Sequence, residues 1–238
     1  MEVPTAEAAR ALGVTQARVR ALIAAGDLDA RRVAGVWLVE GDSIDRQAAI
    51  ASGSRGGRGL AQRIAWAAGD LLDHGDASWL SPKDRWRLRA RLLHELDGVD
   101  TARRWLRNRH TQVSTWRAGA RAIERLLTVD GVIATGVSAA VPLRLGLGTG
   151  GAADIYVHAD LLDQLARDHF LIQSAAGNLT VRTTQEDYSH RTGRRTGDGT
   201  VVAPRLLVAA DLLDDTDART RQTGLDLLTD VLARRAVR

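Results

Sequence analysis

Apolar positions in the first forty residues recur three and four apart, then two apart, with glycines between the blocks. Ala8, Ala9 and Leu12 form one helical stripe, and Val19, Leu22 and Ile23 form a second. Thr5 is placed to cap the first helix, with Pro4 just outside it, and Thr15 to cap the second. Gly13 and Gly26 stand where the helices must stop, because glycine takes the left-handed conformation without steric penalty. Residues 28–39 read as two extended runs joined at Ala34-Gly35, a β-hairpin. Arg31 and Arg32 lie on its first run and Trp37, expected to sit under the sheet, on its second. Residues 43–51 are expected to close the unit as a short helix, with Ser43 as its cap.

Further along, SGSRGGRG over residues 52–59 reads as a flexible linker, its Arg55 and Arg58 either solvated or within reach of phosphates. Residues 60–128 read as helical. One amphipathic run covers 60–72, and a second starts at Ser81 with Pro82 in the first turn and ends near Leu96. Further helices are expected within 101–127. From residue 130 the pattern mixes short strands with helices. Strands are expected at 132–135 and 154–158, helices at 138–145, 161–168 and 217–234, and another from Ala203-Pro204 to Leu213. Residues 170–174 and 179–183 flank AAGN as a second hairpin, and 185–200 read as an exposed loop. The expected fold class is therefore α+β and multidomain. A winged helix-turn-helix domain spans 1–51, a linker 52–59, a helical middle segment 60–128 and a small α+β domain 129–238.

A helix pair with a basic hairpin is the shape of a unit that reads double-stranded DNA. Its second helix enters the major groove and its wing touches phosphates. The candidate DNA-binding residues are Thr15, Gln16, Arg18 and Arg20 at the second helix, and Arg31 and Arg32 on the wing. The bland alternative is a helical hairpin with solvated arginines. Charge weighs against the DNA reading at first: residues 1–50 are net −1, residues 61–128 net +5 and residues 129–238 net −2. Four local arginines must then carry the interaction, with dimerisation or the basic middle segment adding to them. That segment holds five of the six tryptophans, interleaved with arginine in KDRWRLRARLL and ARRWLRNRHTQVSTWR. Such interleaving either binds nucleic acid by stacking and phosphate contact or marks helices with tryptophan inside and arginine outside.

The first fifty residues resemble the excisionase and MerR-type helix-turn-helix domains, through EAARALGV, RVRALIAAGDL and VWLV. Residues 130–235 resemble the antitoxins of the abortive-infection (AbiE) type, which accompany nucleotidyltransferase toxins. TGVSAA (135–140), DIYVH (154–158), GNLTVR (177–182) and APRLLVAADLLDDTDARTRQTGLDLL (203–228) carry that likeness. It implies a transcriptional autorepressor that binds its own operator as a homodimer and opposes a cognate nucleotidyltransferase toxin. The other reading is an excisionase-like or architectural DNA-binding protein with a C-terminal protein-interaction domain.

No enzyme is expected. A nucleotidyltransferase needs a Gly-Ser turn followed by a strand with two carboxylates two residues apart, to hold two metal ions. Here Gly136-Val137-Ser138 precedes Asp154, but the second position is Tyr156. The glycine run 146–151 lacks the Lys-Ser/Thr of a phosphate loop and reads as a connection. Asp211 is expected on a helix face or at an interface. Cysteine is absent and the six histidines are scattered, so neither a metal site nor a cofactor is expected. The chain has no apolar run long enough to span a membrane and no signal-peptide pattern, which fits a cytoplasmic protein.

Overall fold

The computed structural model describes residues 2–12, 14–33, 35–44 and 59–235. The chain divides into two compact units, Met1–Gly57 and Arg58–Arg238. The Gly13 turn, Ala34, most of the expected linker and most of the expected closing helix lie outside the described residues.

In the first unit a short strand, β1 (Glu2–Pro4), precedes α1 (Thr5–Leu12) and α2 (Gln16–Ala24). A hairpin of β2 (Ala30–Val33) and β3 (Val36–Glu40) follows, and residues 41–44 are helical. β3 lies between β1 and β2 in an antiparallel sheet. Ala8, Ala9, Leu12, Val19, Leu22, Leu28 and Val39 make the core, and the small alanines let α1 approach its neighbours closely. Thr5 is buried inside the first turn of α1 rather than standing outside it as a cap. Thr15 does cap α2: its backbone is extended and its hydroxyl accepts the Arg18 N–H at 3.3 Å. Gly26 ends that helix at φ +80°, with Gly26 N–H donating to the Ile23 carbonyl and Asp27 N–H to the Leu22 carbonyl. This pair of hydrogen bonds needs a left-handed residue, and the space around Gly26 is open, so conformation and not crowding favours glycine there. Ser43 is no cap either. It is buried, bridging the Asp29 N–H and the Glu40 carbonyl.

The second unit is one α+β body, not the two segments divided at residue 128 that the sequence pattern suggested. Its helices are α3 (Gln62–Leu72), α4 (Pro82–His94), α5 (Val99–Trp105), α6 (Ala120–Leu126), α7 (Ala159–Asp168), α8 (Arg205–Leu213) and α9 (Ala218–Arg235). Its strands are β4 (Gln112–Arg117), β5 (Ile133–Thr135), β6 (Ala153–His158), β7 (Ile172–Gln173), β8 (Leu179–Thr184), β9 (Arg194–Arg195) and β10 (Val201–Val202). They form one mixed sheet in the order β7-β4-β8-β6-β5-β10-β9.

Two apolar layers cover this sheet. Residues of α3, α4, α5, α8 and α9 share one continuous core with Ile133 and Tyr156 of the sheet. Ile123, Leu126 and Leu165 from α6 and α7 pack with Ile155, Val157, Leu179 and Val181 in the other. The alternation along β6 sends Ile155 and Val157 to one layer and Tyr156 to the opposite one. Helices of the middle segment thus bury their stripes against the sheet and against α8, and β4 belongs to the sheet itself, which is why no boundary falls at residue 128.

Long-range pairing and packing account for most of the remaining differences. β4 was hidden inside a run expected to be helical. Because β4 pairs with both β7 and β8, the expected hairpin of 170–174 with 179–183 does not form. β8 instead runs parallel to β6. Residues 138–145 form a 3-10 turn at Gly136–Ala139 and further turns rather than a helix. Residues 185–200 hold β9 and the buried Tyr188, whose ring stacks on Trp66 with centroids 4.4 Å apart. Ser81 accepts the Asp84 N–H at 3.1 Å and starts α4 with Pro82, as the sequence indicated.

Candidate nucleic-acid interface

α2 hides Val19 and Leu22 and leaves Thr15, Gln16, Arg18 and Arg20 exposed. Ala17, Ala21 and Ala24 are exposed as well. At 100° per residue these alanines share one outward strip. Gln16 and Arg20 lie on one side of it and Arg18 on the other. The helix therefore presents a slim methyl surface with a guanidinium on each flank. Among the described residues neither guanidinium has a hydrogen bond or ion pair.

The wing is less uniform than its Arg31-Arg32 pair implies. Ala30 pairs with Val39 and Arg32 with Trp37, so these four side chains share the sheet face that carries buried Val39. Arg32 Nε donates to the Gly35 carbonyl at 3.4 Å. Trp37 is half-buried on that face. Arg31 points to the opposite face, where it pairs bidentately with Glu2 of β1, both contacts at 2.7 Å. The Arg31 hydrogen bond holds the Glu2 carboxyl below the usual carboxylate range. Of the two wing arginines, then, one is committed to a protein carboxylate and one is not.

The second unit uses arginine differently. Asp211 of α8 is fully buried, rather than lying on an open helix face. Its Oδ1 accepts from Arg109 Nε at 2.7 Å and from the Tyr156 hydroxyl at 3.0 Å, and its Oδ2 accepts from the Thr135 hydroxyl. Arg182 Nε lies 3.1 Å from the same Oδ1 without hydrogen-bond alignment. Arg182 Nη1 donates to Asp154 Oδ1 at 3.2 Å, and Asp154 Oδ2 takes the Val137 N–H at 2.9 Å. Arg109 reaches on to Asp214 and to the Leu106 carbonyl.

Burial pushes the Asp211 carboxyl up, but Arg182, Arg109 and the Thr135 hydroxyl outweigh it and leave it below its ordinary value. At Asp154 burial prevails over Arg182 and the Val137 N–H, and its pKa is raised. Burial likewise opposes the charge on Arg109, yet Asp211, Tyr156 and Asp214 hold its pKa above normal.

Four stretches far apart in sequence, 135–140, 154–158, 177–182 and 203–228, meet here. Thr135 comes from the first, Asp154 and Tyr156 from the second, Arg182 from the third and Asp211 from the fourth. Nothing local announced Arg109 and Arg182 as their partners. The available signal was a lone charge inside the apolar run VAADLL and another inside the strand LTVRTT, since a buried charge demands a counter-charge.

The nucleotidyltransferase-like residues are also spent inside this network. Gly136 sits at φ +45°, and a Cβ there would meet Asp154 Oδ2 at 2.2 Å, so the glycine makes room for the carboxylate. Ser138 Oγ accepts the Asp154 N–H at 2.9 Å. Among the described residues no group of three or more acidic, histidine or cysteine side chains could hold a metal ion. No helix of the described residues is long and apolar enough to cross a membrane. Compared with protein-family models, curated proteins and solved structures, the chain matches none.

Proposed function

We propose that this chain is a DNA-binding transcriptional autorepressor that acts in the cytoplasm as the antitoxin to a nucleotidyltransferase-type toxin. The observation that carries the DNA half is the outer surface of α2, an alanine strip between two guanidiniums that have no partner among the described residues. In a winged helix-turn-helix reading, Ala17 and Ala21 enter the major groove, where methyl groups contact thymine methyls. Arg18 and Arg20 reach phosphates on the two groove walls, Gln16 and Thr15 lie at the leading end, and Arg32 adds a contact from the wing. Two copies on inverted repeats double this small footprint, which a unit of near-neutral net charge needs. Arg31 is removed from the contact set because Glu2 already occupies it.

The antitoxin half is supported by the resemblance of the second unit and by the convergence of its four stretches on one buried network. In this reading the residues that meet there hold the fold of the second unit together. Toxin contact, in this reading, falls to surface residues outside that network.

The test has two arms. Duplex DNA from upstream of the gene should be retarded by the protein, and an unrelated duplex should need at least tenfold more. Co-expression with a nucleotidyltransferase encoded beside it should restore growth that the transferase alone arrests. Equal binding to both duplexes defeats the repressor reading, and persistent arrest defeats the antitoxin reading.

A further inference from the structure

Trp86 on α4 is 71% exposed and Leu93, two turns on, is 55% exposed, while the buried side of the helix is held by Leu88 and Leu92. At 100° per residue Trp86, Ala90 and Leu93 form one outward stripe. Arg89 flanks it on one side, and Lys83 and Arg87 on the other. These three cations have no hydrogen bond or ion pair among the described residues, whereas the rest of the helix's charges are committed. Asp84 takes the Ser81 hydroxyl, Arg85 bonds the Asp76 carbonyl, and Arg91 pairs with Glu95 and lies over the Trp105 ring. The other tryptophans of the segment are inside or half-buried, Trp66 and Trp105 deeply so. Arg89 and Leu93 also line a groove of about 360 Å³ together with Leu71, Leu72 and Leu92.

We infer that this face of α4 binds single-stranded nucleic acid. A large aromatic ring left in water between free cations matches a polymer that alternates flat bases with negative charge. One base stacks on Trp86, a neighbouring base enters the groove beside Leu93, and Lys83, Arg87 and Arg89 take the phosphates. Duplex fits less well, because its bases are already stacked and offer Trp86 no free face. An anionic lipid surface fits less well too, because the apolar stripe is one residue wide and the helix spans Pro82–His94 only. The inference does not rest on the reading of α2, since it concerns the second unit alone.

The experiment uses the full chain and a labelled mixed-sequence single-stranded 12-mer, its duplex and anionic vesicles, at several salt concentrations. The single strand should bind more tightly than the duplex to an Arg18→Ala/Arg20→Ala background in which α2 is disabled. Trp86→Ala should weaken it between about 5- and 150-fold, the range of one lost base stack, and Trp86→Phe should weaken it less. Lys83→Glu/Arg87→Glu/Arg89→Glu should lower the salt slope by about two units, at about 0.7 per phosphate for single strands. Unchanged melting temperatures show that these exposed positions leave the fold intact. Single-strand affinity that is indifferent to Trp86→Ala and to the triple charge reversal overturns the inference. So does tighter duplex binding in that background, or Trp86-dependent vesicle binding without strand binding.

Discussion

Arg18 and Arg20 stand at the surface of the first unit with no partner among the described residues, whereas Arg109 and Arg182 lie buried in the second among carboxylates. The side chain is the same, and the energetics are opposite. A buried guanidinium has already lost its water, so removing its counter-ion leaves a charge with nothing to answer it. An exposed one keeps its water and can exchange it for a phosphate, with release of the counterions condensed there. What an arginine is for depends on whether its charge is already answered. Arg31, exposed but held by Glu2, shows that exposure alone does not separate the two uses.

The largest expected effect breaks the buried side of this contrast. Asp211→Asn should destabilise the second unit by about 3–5 kcal/mol, the usual cost of removing one member of a buried pair, measured by urea unfolding. The pH dependence has a definite sign. The Asp211 pKa is depressed in the fold, so its contribution is complete above the unfolded value of about 3.9 and is lost as pH falls through the lower folded value. Asp154, raised in the fold, works the other way. Its burial is better tolerated when it is protonated, and that relief is lost as pH rises through its folded value. Asp211→Asn should therefore flatten the acid limb of the stability curve, and Asp154→Asn should steepen it.

Second in size is the surface arm. Arg18→Ala with Arg20→Ala should reduce operator affinity by at least tenfold, each contact being worth about 1–3 kcal/mol if it reads a base and one unit of salt slope if it holds a phosphate. The melting temperature should not move, in contrast to Asp211→Asn. Third, Thr15→Ala should cost about 1 kcal/mol through the lost cap on α2, seen as a lower midpoint for the first unit alone. The smallest effect sharpens the comparison within the wing. Arg32→Ala should weaken operator binding measurably, and Arg31→Ala should not. A reversed order would show that Glu2 releases Arg31 to the DNA.

Much of the first unit was readable because its signals are local. Thr15 and Gly26 mark both ends of α2, and the stripe Val19–Leu22 is buried as its spacing requires. β1 was not readable, because three residues at the start of the chain have no period of their own and gain strand structure only by pairing with β3. In the second unit, Ser81-Pro82 and DIYVH each marked an element correctly. β4 was missed because QVSTWR carries its tryptophan and arginine in the same rhythm as the helices before it. The pairing of β7 with β4, and the Arg109–Asp211 contact across 102 positions of sequence, are long-range choices made by packing, for which no window of sequence holds the information. The candidate DNA-binding residues were readable as types and positions. The assignment of Arg31 to Glu2 was not, since it depends on which face of a strand each arginine takes.

In the proposed reading α2 holds DNA with two guanidiniums that have no partner among the described residues. The most direct test of that reading is the salt dependence of operator affinity for the intact chain and for Arg18→Ala/Arg20→Ala. The double substitution should lower affinity and flatten the plot of log affinity against log salt by about two units, near 0.9 for each phosphate lost. Parallel plots with equal affinities would contradict it.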